Sequence, residues 1–151
     1  MTFIIDKRTT ERSQTNDLEY GLEREDGILD MIKANWSNAV NITNTKDRHN
    51  DPFCKWDFEC DDGNTWELKS RRINFRKYPT SLLSHHKVRF DFEGDQYFVF
   101  NYLDQVVWCK YEKELWDTFK VTKTKVFRKS KWGEYTLENN WEIPINIMTV
   151  F

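Results

Sequence analysis

Asp57, Glu67 and Lys69 sit in two alternating runs, CKWDFEC (54–60) and TWELKSR (65–71), joined by a short Asp/Gly segment. In the first run Cys54, Trp56, Phe58 and Cys60 are apolar and Lys55, Asp57 and Glu59 are charged; in the second, Trp66 and Leu68 alternate with Glu67 and Lys69. This is the period of two of a half-buried strand. Matching the apolar faces across a hairpin requires an odd loop, which a three-residue Asp61-Asp62-Gly63 turn with Gly63 left-handed supplies. The register then predicts Phe58 opposite Trp66, Trp56 opposite Leu68, and Asp57 opposite Glu67 with Cβ atoms roughly 4.5 to 5.5 Å apart. Two facing carboxylates share a proton, pair with cations or hold a metal ion. Hard oxygen ligands suit Mg²⁺ or Mn²⁺, which take one or two carboxylates and complete their shells with water and phosphate oxygens. Such an ion acidifies a bound water and stabilises charge on an attacked phosphate. Lys69, on the same face, would hold that water as hydroxide or contact a phosphate oxygen, so the chemistry expected is phosphodiester hydrolysis. The alternative use of the same residues is a solvated ion-pair cluster of small energetic value.

The elements that must position these residues follow from the flanking sequence. Residues 21–35, GLEREDGILDMIKAN, predict a helix with Leu22, Leu29 and Ile32 on one face and Ile28 beside it. Glu25 falls on that apolar face, where an unpaired carboxylate is costly; it serves either the Asp57/Glu67 site or the helix dipole, and Glu23 competes for the same role. Downstream, YPTSLLSHHKV predicts a short helix with Pro79 in its first turn. YFVFNY and VVWCKY predict a hairpin around Leu103 to Gln105, KELWDTF a helical turn, VTKTKVFRK a strand, and WEIPINIM a terminal extended segment. Residues 1–20 read as a loosely held polar arm and 21–151 as a single domain. The class is α/β or α+β, with a mixed central β-sheet flanked by helices.

The 151 residues carry 23 bases and 25 acids for a net charge of −2, consistent with one domain and uninformative about partners by itself. The total conceals two basic runs without an acid. Lys69 to Phe90 holds Lys69, Arg71, Arg72, Arg76, Lys77, Lys87 and Arg89; Lys120 to Gly133 holds Lys120, Lys123, Lys125, Arg128, Lys129 and Lys131. Such runs can follow a phosphate backbone, and the first abuts the carboxylate pair. The candidate nucleic-acid contacts are Lys46, Arg48, Arg71, Arg72, Arg76, Lys77, Tyr78 and Lys87. Cys54 and Cys60 would stand about 20 Å apart on one strand, beyond disulfide reach, and Cys109 is alone. A reducing, intracellular setting follows. No apolar span approaches the ~20 residues of a membrane helix, and neither a P-loop nor an HExxH motif is present. The histidines read as surface residues and most of the tryptophans as core.

Glu25 on a helix, Asp57 on a strand, Glu67-Leu68-Lys69 on the next, and KSRR leading onward together resemble the PD-(D/E)XK nuclease superfamily, with its restriction-endonuclease-like fold. ELKSRR followed by KYPTSLLSHHKV is similar to the small stand-alone nucleases of large DNA viruses and phages, and less so to archaeal Holliday junction resolvases. The likeness is specific over residues 21–90 and general thereafter. It implies that Asp57 and Glu67 ligate Mg²⁺ with the backbone carbonyl of Leu68, that Lys69 is the catalytic lysine, and that Glu25 is an outer ligand through water. Trp56 stands where the family name has proline. The function implied is a metal-dependent endonuclease acting on DNA, selective for DNA structure or acting through dimer geometry as a homodimer. RNA cleavage with the same metal site and a catalytically silent nucleic-acid-binding module are the alternatives.

Overall fold

The computed structural model describes residues 3–5, 25, 27–36, 42–50, 56–128 and 134–151. In chain order the elements are β1 (Phe3–Ile5), α1 (27–35, with Glu25 also helical), β2 (Thr43–Asn44), α2 (Thr45–His49), β3 (Phe58–Glu59), β4 (Thr65–Ser70) and β5 (Thr80–Ser84). A 3-10 turn (His85–Lys87) leads to β6 (Gln96–Asn101), β7 (Val106–Lys110), α3 (Lys113–Trp116), β8 (Val121–Arg128) and β9 (Glu134–Pro144). A second 3-10 turn (Ile145–Ile147) precedes β10 (Thr149–Val150). The strands form a six-stranded sheet, β10-β7-β6-β4-β3-β2, and a four-stranded sheet, β1-β8-β9-β5. Both are mixed, since β4–β6 and β1–β8 are parallel and the other pairs antiparallel. The α+β class with a mixed sheet is the one expected from the sequence.

Both faces of the larger sheet are covered, so β6 at its centre is apolar on both sides. Trp66 on β4 and Val99 on β6 share a core with Phe58 and with Ile28 and Ile32 of α1. The alternate residues Phe98 and Phe100 pack in a second core with Val107 and Cys109 of β7, Leu83 of β5, and Trp141 and Ile143 of β9. Parallel pairing sets Glu67 beside Phe98 and Lys69 beside Phe100. The two charged residues of β4 therefore point away from α1, while Trp66 and Leu68 point toward it.

The hairpins predicted at 58–66 and 97–110 and the helical turn at KELW are present. YPTSLLSHHKV differs from expectation: residues 80–84 are a strand, and only His85–Lys87 is helical. Ser81 and Leu83 are buried, and the five residues pair antiparallel with β9 from Pro144 to Asn140. An isolated helix this short is marginal, whereas the edge of β9 supplies a full ladder. In consequence the crossover between the parallel strands β4 and β6 passes through the second sheet. Residues 3–5, within the expected N-terminal arm, pair with β8. Leu22, Glu23, Cys54, Lys55, Lys129 and Lys131 lie outside the described residues. Among the described residues no helix is long and apolar enough to cross a membrane.

Candidate active site

The site is built on the β3–β4 hairpin. Its turn is closed by Cys60 N–H donating to the Asn64 carbonyl and Gly63 N–H to the Cys60 carbonyl, both at 3.0 Å. Gly63 has φ +89°, the left-handed value that this loop length demands of glycine. Gly94 packs against the turn so closely that a Cβ there would lie 2.2 Å from the Gly63 carbonyl oxygen. Phe58 faces Trp66, as the alternation predicted.

The register changes at Asp57. Its N–H donates to the Trp66 carbonyl at 3.1 Å, the residue Phe58 already faces, so two residues oppose one and the strand is bulged. The expected ladder pairs Asp57–Glu67 and Trp56–Leu68 do not form. Two contacts account for this. The Asp57 carbonyl accepts from Thr45 N–H at the start of α2 (2.8 Å), and the Asp57 carboxylate takes the Leu68 N–H (Oδ2, 2.7 Å) that the ladder leaves without a strand partner. In a strand the carbonyl of a residue points to the same edge as its N–H, so the Leu68 carbonyl is also directed to the Asp57 side. Trp56, expected in the core, leaves it and stands over a guanidinium.

The carboxylates remain electrostatically joined without the ladder pair. Burial, and next the charge of Glu67, raise the Asp57 carboxyl from 3.8 to about 7; the Leu68 N–H opposes this and the charge of Glu25 adds to it. Glu67 is buried, and one of its oxygens receives two lysines, Lys69 Nζ at 3.0 Å and Lys87 Nζ at 3.5 Å. Burial lowers the Lys69 ammonium to about 8, with Glu67 opposing the shift and Lys87 and Arg71 adding to it. Glu25 is buried on α1 and accepts a hydrogen bond from the Asn44 amide. Asn44 in turn caps α2 through its Oδ1, which accepts from Lys46 N–H at 3.0 Å and Asp47 N–H at 3.3 Å. Glu25 is thus tied to the element that captures Asp57. Among the described residues no three His, Cys, Asp or Glu side chains gather as a metal cluster.

The candidate nucleic-acid contacts separate into groups. Arg48 binds Thr43 Oγ1 (2.8 Å) and pairs with Asp61 (3.1 Å) and Glu59 (3.7 Å), clamping α2 to the hairpin. Arg71 donates to the Leu82 carbonyl (2.7 Å) and lies over Phe100, joining the end of β4 to β5. Lys46 is half-buried on α2. Arg72, Arg76, Lys77 and Tyr78 are exposed together on the β4–β5 loop. Lys87 is a neighbour of Glu67 and belongs with the Glu67–Lys69 pair.

No protein-family model, curated protein or solved structure matches the chain. The geometry does add a residue that sequence reasoning counted as charge but gave no role. The Arg89 guanidinium is held between the Trp56 and Phe92 rings, 3.7 and 3.8 Å from their centroids, and donates to Thr65 Oγ1 at 2.6 Å. Its backbone N–H donates to Gln96 Oε1 at 2.8 Å. Arg89 and Lys87 line a small pocket with Glu67, Thr65 and Trp56, so three cations, with Lys69, stand beside the carboxylate pair. No local pattern marks Arg89, because its partners come from three separate segments. Glu59, placed by alternation on the charged face, is buried, taking Trp56 Nε1 (2.7 Å) and the His49 ring nitrogen.

Proposed function

We propose that the protein is a Mg²⁺- or Mn²⁺-dependent nuclease of the PD-(D/E)XK type that hydrolyses DNA phosphodiester bonds. The observation that carries this reading is the Asp57 carboxyl, raised to about 7 by burial and by Glu67, with Lys69 anchored on Glu67. A buried acid pair of this kind is unfavourable for a protein with no ligand to place there, and its chemistry fits a hard divalent ion, which needs only one or two carboxylates. Asp57, Glu67 and the Leu68 carbonyl would hold the ion, with Glu25 behind Asp57 through water. A bound ion there supplies charge neutralisation at the attacked phosphate and an acidified water. The chain's own groups do the rest. The Leu68 N–H orients the Asp57 carboxylate, Lys69 would hold the acidified water as hydroxide through a hydrogen bond or contact a phosphate oxygen, and Lys87 adds a second positive charge.

DNA structure or homodimer geometry sets selectivity in this proposal. The enzyme of this proposal acts inside a cell, as a nuclease of viral or phage type. One observation favours a second reading: Lys69 and Lys87 already neutralise Glu67, as in a catalytically silent nucleic-acid-binding module. Titration calorimetry with Mg²⁺ or Mn²⁺ separates the two. The wild type binds one ion per active site and Glu67→Gln binds at least tenfold more weakly; identical isotherms for the two proteins would remove the metal site. A cleavage assay over linear, nicked, branched and single-stranded DNA, with RNA alongside, identifies the substrate.

The exposed bases carry affinity and not chemistry. Arg72→Ala and Arg76→Ala are expected each to weaken DNA binding and to reduce the slope of log affinity against log salt by roughly one unit. A slope equal to that of the wild type would leave these arginines as a solvated face.

A further inference from the structure

The β4–β5 loop and the β6–β7 turn enclose an open groove of about 530 Å³ lined by Arg72, Arg76, Lys77, Ile73 and Leu103. Its two walls are fastened to each other. Leu103 N–H donates to the Ile73 carbonyl at 3.0 Å. Asp104, the acid in the lining, is turned into the loop, where Oδ1 accepts from Phe75 N–H at 2.8 Å. The turn itself closes through Tyr102 N–H and the Gln105 carbonyl at 2.9 Å. The groove is therefore preformed. Two large side chains here are not buried by the fold: Leu103, in the lining, is 61% exposed, and Tyr78, which follows the lining residue Lys77 in the chain, is 55% exposed. Lys77 Nζ lies 5.7 Å from the Tyr78 ring centroid, which places that ring beside the cationic lining.

A cationic groove edged by an exposed aromatic and an apolar side chain is the combination that binds single-stranded nucleic acid. The charges track the backbone, and the ring offers a face to unpaired bases. The interior of a duplex cannot use the ring, because its base faces are already stacked on one another. The groove is also close to the reactive cluster: Arg72 lies three residues beyond Lys69, roughly 10 Å along an extended chain. We propose that this groove binds unpaired DNA nucleotides next to the scissile phosphate, with Arg72, Arg76 and Lys77 on the phosphates, Tyr78 stacked on a base and Leu103 wedged against it. The substrate class is DNA with a single-stranded segment, an overhang or a fork. The inference rests on the nuclease reading for the word scissile, and on the groove alone for the strand preference.

The test measures binding without metal, so that it does not depend on turnover. Fluorescence anisotropy in EDTA compares a labelled blunt duplex with the same duplex carrying a single-stranded overhang. The overhang duplex is expected to bind on the order of tenfold more tightly. Tyr78→Ala and Leu103→Ser should each remove most of that advantage, while Tyr78→Phe keeps it. Equal affinity of the wild type for the two DNAs, or undiminished overhang binding by both the Tyr78→Ala and Leu103→Ser variants, overturns the proposal. An overhang preference without Mg²⁺-dependent cleavage upholds the groove and sinks the nuclease reading. Cleavage with no overhang preference does the reverse.

Discussion

Lys69→Ala lowers the rate of DNA cleavage on the order of 10²-fold or more while DNA affinity measured without metal stays near that of the wild type. Lys69 lies on β4 within 3.0 Å of Glu67, on the face opposite α1, and its ammonium is lowered to about 8 chiefly by burial. A cation so placed interacts most strongly with the charge that gathers on the phosphate and the attacking water as the bond breaks. Its removal therefore falls on the transition state and not on ground-state binding, and losing one such electrostatic contact typically costs about 10²-fold in rate. Lys69→Met, which keeps the length of the side chain, should lose as much rate as Lys69→Ala, because packing is not what is removed. If Lys69 were only one member of a buried structural ion pair, both variants would lose stability, by up to roughly 3–5 kcal/mol, and there would be no activity to lose. Wild-type rates in both variants, or a wild type that cleaves no nucleic acid with any divalent ion, would set aside the catalytic assignment.

Asp57→Asn is expected to abolish cleavage and, at the same time, to raise the melting temperature of the metal-free protein at neutral to mildly alkaline pH. The Asp57 carboxyl is raised from 3.8 to about 7 in the fold, so the native state binds this proton more tightly than the unfolded chain. The corresponding stability is fully present below pH 3.8 and is lost as pH rises through about 7. Above that, the wild type carries a half-buried charge within the electrostatic reach of Glu67. Asparagine stays neutral throughout and can still accept the Leu68 N–H, so it avoids the cost of ionising a buried carboxyl, about 1.4 kcal/mol for every tenfold difference in proton affinity between fold and unfolded chain. Lys69 acts in a separate window, between about 8 and 10.5, where stability rises with pH. Melting curves at pH 5 and pH 8 in chelator test this: the variant should melt above the wild type by a smaller margin at the lower pH and by several degrees more at the higher. Added Mg²⁺ should then restore the wild type and not the variant, since only a protein that binds the ion gains from it. A variant that melts at or below the wild type at pH 8 would show that Asp57 carries no such burden.

What the sequence determined by itself was local. A period of two over Trp66 to Lys69 and a loop whose length requires a left-handed Gly63 are encoded within one hairpin, and they were enough to pair Phe58 with Trp66 and to put Glu67 and Lys69 on one face. The β6–β7 hairpin and the position of Glu25 on the buried face of α1 were legible for the same reason: each depends on spacing within a single element. What only the tertiary structure decided depends on partners distant in the chain. Residues 80–84 became a strand because β9 offers them an edge, a fact absent from their own composition. Asp57 left the ladder because Thr45 holds its carbonyl and Leu68 its carboxylate, replacing the expected ladder pairing with a bulge. Lys87 and Arg89 reached the site because the crossover through the second sheet returns the chain to β6 beside Glu67. Local periodicity constrains which way a side chain faces, but the groups that meet it there are set by how separate segments cover one another, and burial then converts that meeting into shifted proton affinities.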